Sequence, residues 1–335
     1  MEVIDYRRGV LRILDQRLLP EREIYLECRT IEEVVSAIKS LAVRGAPLIS
    51  ISAAYGVCIG LFQYKTLEKL DYILFSLRNS RPTAYNIFTI LDRIENRIRT
   101  LNTNDYEKAL ELAEAEAIAI HNEDRNLCNK IAKNGQKVIP NNANVVTICN
   151  TGMLATGGIG TALGVIYEGF QDGKIKHVFV LETRPLLQGA RLTAYELAKN
   201  KIPVTLITDN MLSFLFSRSK IDLAIVGADR IVKNGDTANK IGTLNLAIVC
   251  KYFGVPFYVA APYTTIDLSL EDGSQIPIEE RDPNEVRFFR NQLIAPPEVE
   301  VWNPAFDITP ASLITGIITD RGIFKPNEIF ALKIQ

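Results

Sequence analysis

"NVVTICNTGMLATGGIGTALGVI", residues 144–166, decides the fold of this 335-residue chain. It opens on a short run rich in branched side chains, reaches a cysteine at 149, and then places five glycines in the next fifteen positions. Runs of the same kind recur downstream as "HVFVLE" (177–182), "VTLIT" (204–208), "LAIVGA" (223–228) and "PFYVAA" (256–261). Between them lie helical stretches such as "LLQGARLTAYELAKN" and "TLNLAIVCKYFG". This alternation predicts an α/β, Rossmann-like domain with a mostly parallel sheet, because parallel neighbours need a crossover connection. In such sheets ligands lie outside the carboxyl ends of the strands. The polar residues that follow each run are therefore candidates for one rim: Cys149 and Asn150, Thr183 and Arg184, Asp209 and Asn210, Asp229 and Arg230, Pro262 and Tyr263.

Upstream, to about residue 135, the pattern is mainly helical. "TIEEVVSAIKSLAV" has a Thr30 cap and acidic residues in its first turn, and "NIFTILDRIENRIRTL" and "NDYEKALELAEAEAIAIHNEDRNLCNKIAKNG" continue the pattern until Gly135. The reading is a smaller, mainly helical N-terminal domain over 1–138 and a Rossmann-like catalytic domain over 139–335. The stretches "EDGSQIPIEERDPNEV" and "NPAFDITPASLITGIITDRGIF" read as ordered loops and a last helix.

With 38 basic against 39 acidic side chains and a pI near 6.2, the chain lacks the positive field that holds nucleic acid or an anionic membrane. A small-molecule partner is expected. No stretch reads as ~18 unbroken apolar residues, and the start "MEVIDYRRGVLRILDQ" has charges where a leader would be apolar. The expected location is the cytoplasm. Five cysteines, an odd number at wide spacing, indicate neither a disulfide framework nor a CxxC metal site. With only His121 and His177 available, both read as structural or solvated, acid-base chemistry falls to carboxylates, lysine or thiol.

The glycine-rich stretch has two readings. Gly158, Gly160 and Gly164 follow a strand, and Glu182 ends the next, which is the order of a dinucleotide fingerprint and of a nicotinamide-dependent dehydrogenase. The fingerprint needs its first glycine in the turn directly after the strand, whereas "NTGMLATG" intervenes here. The better reading is a loop that presents Cys149 at the rim, with backbone amides and a helix start facing an anion. Asp229, directly after "LAIVGA", is the second candidate, as a general acid at a partly desolvated rim; its alternative is a cap or a pair with Arg230. Arg44 in "VRGAP", with Gly45 and Ala46 beside it, and Asn239 and Lys240 in "TANKIGT" suit a phosphate, or else are surface polar groups on loops. Arg81 and Gln188 carry weaker signals when read alone.

Nine ordered blocks, "LDQRLLP", "LAVRGAPLISISAAYG", "SRPTAYNIF", "ICNTGMLATGGIGTALG", "ETRPLLQGARLTAYEL", "VGADRIVKNGDTANKIGT", "PFYVAAPYTTID", "IPIEERDPNEV" and "NPAFDITPASLITGIITDRG", resemble the methylthioribose-1-phosphate isomerases over nearly the whole chain. That family is related to the regulatory subunits of the nucleotide-exchange initiation factor and to ribose-1,5-bisphosphate isomerases. The resemblance implies conversion of 5-methylthioribose 1-phosphate to 5-methylthioribulose 1-phosphate in methionine salvage, without metal, nucleotide or other cofactor, by a homodimer. It implies Cys149 as the catalytic thiol and Asp229 as the acid, and Arg44, Gly45, Ala46, Arg81, Gln188, Asn239 and Lys240 as substrate-contacting positions. Two residues depart from the common pattern: Ile148 stands where histidine is usual, and Ser50 where glycine is usual. Ile148 makes the surroundings of Cys149 more apolar, so a related sugar 1-phosphate, such as 5-deoxyribose 1-phosphate or ribose 1,5-bisphosphate, is an alternative substrate. A non-catalytic regulatory protein is the alternative from another class.

Overall fold

The computed structural model describes residues 1–81, 85–101 and 105–331. Three residues of the "SRPTAYNIF" block, 82–84, lie outside the described residues. The chain forms two compact units, one of Met1–Leu127 with Gly152–Gly160 and one of Cys128–Thr151 with Thr161–Gln335. This division differs from a single cut at 138: the end of one long helix goes with the second unit, and most of the glycine-rich stretch goes with the first.

The first unit begins with an antiparallel sheet, β1 (Ile4–Arg7), β2 (Val10–Leu14) and β3 (Tyr25–Cys28). The helical reading of this region missed it because the strands are short and carry charges on alternate residues. Helix α1 (Ile31–Lys39) starts as expected: Thr30 Oγ1 accepts from the Glu33 amide, and the Glu33 carboxylate accepts from the Thr30 amide. Helix α2 (Ala46–Tyr64) is buried continuously from Leu48 to Leu61. Among the described helices it alone is long and apolar enough on average to cross a membrane, although Ser50 and Ser52 interrupt its apolar run, and 78% of its most apolar window is buried. It is the core helix of this unit, and its buried Ser50 and Ser52 hydroxyls donate to the carbonyls of Ala46 and Leu48 at 2.9 and 2.8 Å. Helices α3 (Leu70–Arg78), α4 (Tyr85–Arg99) and α5 (Tyr106–Gly135) follow.

The segment 152–160 is bound into this unit by its backbone carbonyls and one amide. Gln16 Nε2 donates to Leu154 O at 2.7 Å, the Leu48 amide to Ala155 O at 3.2 Å, and the Gly157 amide donates to Asp124 at 2.6 Å. Burial, then the Arg125 charge, lowers the His121 pKa and keeps its ring neutral. Its Nδ1 then accepts from Tyr55 OH at 3.0 Å while Nε2–H donates to Gly157 O at 3.1 Å. The histidine is a structural pin.

In the second unit, β4 (Ala143–Thr147), α6 (Ala162–Gln171), β5 (Ile175–Leu181), α7 (Ala194–Lys199), β6 (Val204–Ile207), α8 (Leu212–Arg218), β7 (Leu223–Val226), β8 (Arg230–Val232), β9 (Thr237–Lys240), α9 (Thr243–Phe253), β10 (Phe257–Ala260) and β11 (Ile266–Asp267) succeed one another. Helix α10 (Asn284–Arg287), the hairpin β12 (Phe288–Phe289) and β13 (Gln292–Leu293), and strands β14 (Phe306–Thr309), β15 (Gly316–Thr319) and β16 (Gly322–Phe324) complete it. The seven-stranded sheet runs β16-β15-β10-β7-β4-β5-β6. Every neighbouring pair is parallel except β15 with β16. A second sheet, β11-β8-β9-β14, stands beyond β7 in the chain. The last stretch, read as loops and a helix, instead supplies β14, β15 and β16, and ends in a short 3-10 turn, Pro326–Ala331.

Candidate active site

Taken in chain order, the parallel strands lie as third, second, first, fourth, fifth, sixth, so the winding direction reverses between β4 and β7. The cleft at the carboxyl ends of those two strands is where such a sheet takes its ligand. Cys149 follows β4 by two residues, and Asp229 follows β7 by three. Gly227 keeps the two exits close: a Cβ there would meet Thr151 Cγ2 at 2.6 Å. This strand order is also that of dinucleotide-binding sheets, but the first connection is no tight glycine turn, since residues 148–161 separate β4 from α6. At the start of α6 the Leu163 amide is already taken, donating to Thr151 Oγ1 at 3.2 Å.

Cys149 is the one free cysteine of five that is not buried. Its neighbour Ile148 is 1% exposed and belongs to the apolar core of the unit, against which Cys149 packs. Cys149 holds a left-handed backbone with φ of 62°, and so does Thr183 with φ of 65°. Such values are unusual for residues with a Cβ, most of all a branched one, and cluster at functional sites. The Cys149 amide donates to Thr183 Oγ1 at 2.9 Å, and the Thr183 and Arg184 amides donate to the Asp209 carboxylate at 2.8 and 2.7 Å. The ends of β4, β5 and β6 are thus tied in sequence. Gln188 leads into a π-helical turn, Gly189–Thr193. It is 7% exposed, and its Oε1 is a buried acceptor that no donor among the described residues reaches, the condition in which a ligand hydroxyl is the natural partner.

Asp229 differs from its expected setting. Its amide donates to Ala238 O at 2.9 Å, and the residue is exposed. Arg230 faces Asp267 at 3.5 Å. Asn239 and Lys240 lie on strand β9 and not on a loop. Buried Asn239 donates to Thr243 Oγ1 at 2.9 Å, and Lys240 Nζ donates to Ala305 O at 2.8 Å.

Opposite Asn239 in the antiparallel register stands Asp307, which sequence reading missed. Its carboxyl accepts from the Gly242 and Leu244 amides at 2.7 and 3.1 Å, capping α9 from another strand. Nothing local in "AFDITP" announces this, because the amides it meets lie far away in sequence. Burial pushes the Asp307 carboxyl up to about 6, against the two amides and Lys240, which pull it down. A carboxyl raised above its unfolded value favours the folded state below that value, and the benefit is lost as pH rises through 6. Asp307→Asn should therefore remove a fall in unfolding free energy, on the order of 2 kcal/mol between pH 4 and 7. Urea titrations at both pH values check this, and parallel pH dependences in the two proteins would refute it.

The first unit holds the other candidates. Arg44, Gly45 and Ala46 are half-buried at the start of α2. Gly45 has φ of 87°, and a Cβ there would lie 2.4 Å from Ala155 O. Arg81, also half-buried, follows the end of α3. Ser50 is spent within α2 on its own helix, so this departure leaves the turn untouched. Among the described residues no group of three or more His, Cys, Asp or Glu is placed to hold a metal ion.

Comparison with known proteins gives the context. The model of the initiation factor 2 subunit family matches residues 42–326. The methylthioribose-1-phosphate isomerase of Carboxydothermus hydrogenoformans is 51% identical, over 97% of this chain and 96% of that protein. The chain belongs to the methylthioribose-1-phosphate isomerase family. Another member of the family, from Caldicellulosiruptor saccharolyticus, is 49% identical over 97% of this chain and 96% of its own length. Among solved structures, the 5-methylthioribose 1-phosphate isomerase of Pyrococcus horikoshii superposes with a TM-score of 0.94 at 39% identity, covering 99% of this chain and 96% of that one. A structure from A. fulgidus described as translation initiation factor eIF-2B, subunit delta, gives 0.89 at 40% identity, with 98% and 97% covered.

Proposed function

We propose that this protein is an aldose-ketose isomerase that converts 5-methylthioribose 1-phosphate to 5-methylthioribulose 1-phosphate in methionine salvage. The observation that carries the reading is that Cys149 and Asp229 leave the two strands at which the sheet reverses its winding. The substrate is a locked acetal, so the ring oxygen must be protonated before C1 can open while the C1 phosphate stays in place. Asp229 is the proposed donor of that proton. Hydrogen then passes from C2 to C1, and Cys149 stabilises or relays the charge that develops at these carbons.

Each unit offers polar groups of its own to the substrate. In the second unit, the orphaned Gln188 Oε1 suits a sugar hydroxyl, and Asn239 and Lys240 are held at one strand end as polar contacts. In the first, the Arg44 guanidinium with the Gly45 and Ala46 backbone, and Arg81, suit a phosphate. Neither set calls for a metal or nucleotide. Free thiols at all five cysteines fit a reducing cytoplasm.

The expected homodimer has support in an exposed apolar face on α8 and α9, where Phe214, Ile248 and Tyr252 are 65%, 50% and 83% exposed. Sedimentation equilibrium should give twice the 37.4 kDa chain mass; a single-chain mass would refute it.

The function is tested by a phosphorus and proton NMR time course with 5-methylthioribose 1-phosphate, 5-deoxyribose 1-phosphate and ribose 1,5-bisphosphate. Ketose phosphate should form fastest from the methylthio substrate. Faster conversion of either other sugar would reassign the substrate, and no conversion of any would favour a regulatory role.

A further inference from the structure

We propose that Thr193, held in orientation by Asn150 and Glu196, is a positioning residue for Cys149. The proposal rests on the reading of Cys149 as the catalytic thiol. The direction of a Cα–Cβ bond is set by the backbone, and the Cys149 backbone sits in the left-handed region, which a residue with a Cβ keeps only where its surroundings impose it. Two hydroxyls grip the peptide groups on either side. Thr183 Oγ1 takes the Cys149 N–H, and the Thr193 hydroxyl donates to the Cys149 carbonyl.

A hydroxyl can turn, so something must aim it. Asn150 Nδ2 donates to Thr193 Oγ1 at 3.2 Å, occupying an acceptor position and leaving the hydroxyl proton for the Cys149 carbonyl. The same amide group donates to Glu196 Oε1 at 2.7 Å, and Glu196 Oε2 accepts from Tyr167 OH at 3.0 Å. Thr193 and Glu196 are both fully buried, and Asn150 is 3% exposed. An apolar residue would fill the place of a buried carboxyl at lower desolvation cost, so what this network supplies is orientation. It also joins two parts of the candidate site: one π-helical turn has Gln188 at its start and Thr193 at its end, and turns of this kind recur at functional positions.

If the grip is released, Cys149 relaxes toward the extended path of β4 and its sulfur swings away from the reacting carbons. A misplacement near 1 Å costs on the order of 10- to 100-fold in turnover. The test compares Thr193→Val, which keeps the shape without the hydroxyl, with Thr193→Ser, which keeps the hydroxyl. Cys149→Ala serves as the reference for the catalytic reading. Readouts are kcat and KM with 5-methylthioribose 1-phosphate, the melting temperature, and the pH profile of Cys149 alkylation by iodoacetamide, followed on the labelled peptide.

Thr193→Val should lower kcat about 10- to 100-fold, leave KM within about threefold, and shift the alkylation profile; Thr193→Ser should restore both. A lowered melting temperature in Thr193→Val with unchanged kcat and alkylation would mean a merely structural role and overturn the proposal. A Thr193→Ser enzyme as impaired as Thr193→Val would overturn it too, since the methyl group would then be what matters. Should Thr193→Val fail to fold, Glu196→Gln carries the test, because it leaves one acceptor oxygen where the carboxylate has two. Its kcat should fall and its alkylation profile shift, and no change in either refutes the network. Full activity in Cys149→Ala would sink the catalytic reading itself, whereas an inactive Cys149→Ala beside a fully active Thr193→Val would sink only the positioning role.

Discussion

Asp229→Asn is expected to lower kcat by about 10²- to 10⁴-fold, the range a positioned proton donor contributes, with KM changed by no more than about threefold. The substitution keeps the volume and the polarity and removes only the proton. The Asp229 amide is anchored to Ala238 O whatever the side chain, and a thermal melt of the variant separates lost chemistry from lost stability. The residue is exposed in the free protein, so a sugar bound over it would favour the protonated form. The alkaline limb of kcat/KM, which reports the free enzyme, should then lie at lower pH than that of kcat, which reports the complex. Steady-state kinetics from pH 5 to 9, on the NMR assay, read both. Turnover in Asp229→Asn within about threefold of the parent would remove it from the mechanism, and coincident limbs would remove the account of how it is kept protonated.

Cys149→Ala should cost at least about 10²- to 10³-fold in kcat, the size of a lost transition-state contact. A second comparison separates chemistry from backbone. Because residue 149 has φ of 62°, glycine relieves strain there that alanine retains, on the order of 1 kcal/mol. Cys149→Gly should therefore be as inactive as Cys149→Ala yet melt at a higher temperature. A Cys149→Gly protein less stable than Cys149→Ala would show that the left-handed conformation is not held in solution, and an active Cys149→Ala would show that the thiol is dispensable.

Much of the second unit was legible in the sequence, because branched runs at β4, β5, β6, β7 and β10 stand out against the helices between them. Their observed bounds differ from the quoted runs by one or two residues. Strand β15 escaped because its four residues, Gly316–Thr319, sit among turn residues, and α2 escaped because a helix buried all round has no polar face to give it a period. For the site, position after a strand was enough to single out Cys149 and Asp229, since the carboxyl edge is a property of the topology. Asn239 and Lys240 were singled out by residue type, and the alternative that set them on a loop fails because both lie on β9. Glu196 and Asp307 gave no signal: each looks like an ordinary surface acid until the distant donors that meet it are seen.

The excursion after β4 bears on how this protein can be divided and inherited. Residues 152–160 supply carbonyls that Gln16, Leu48 and His121 use, so a fragment ending at Leu127 would lose acceptors that no solvent-exposed loop replaces. The converse fragment, starting at Cys128, would carry the nine residues 152–160, which belong to the other unit, close after its thiol. The chain cannot be cut into two independently heritable modules at any single point. Exchange of either unit by a single crossover would therefore carry residues of the other with it.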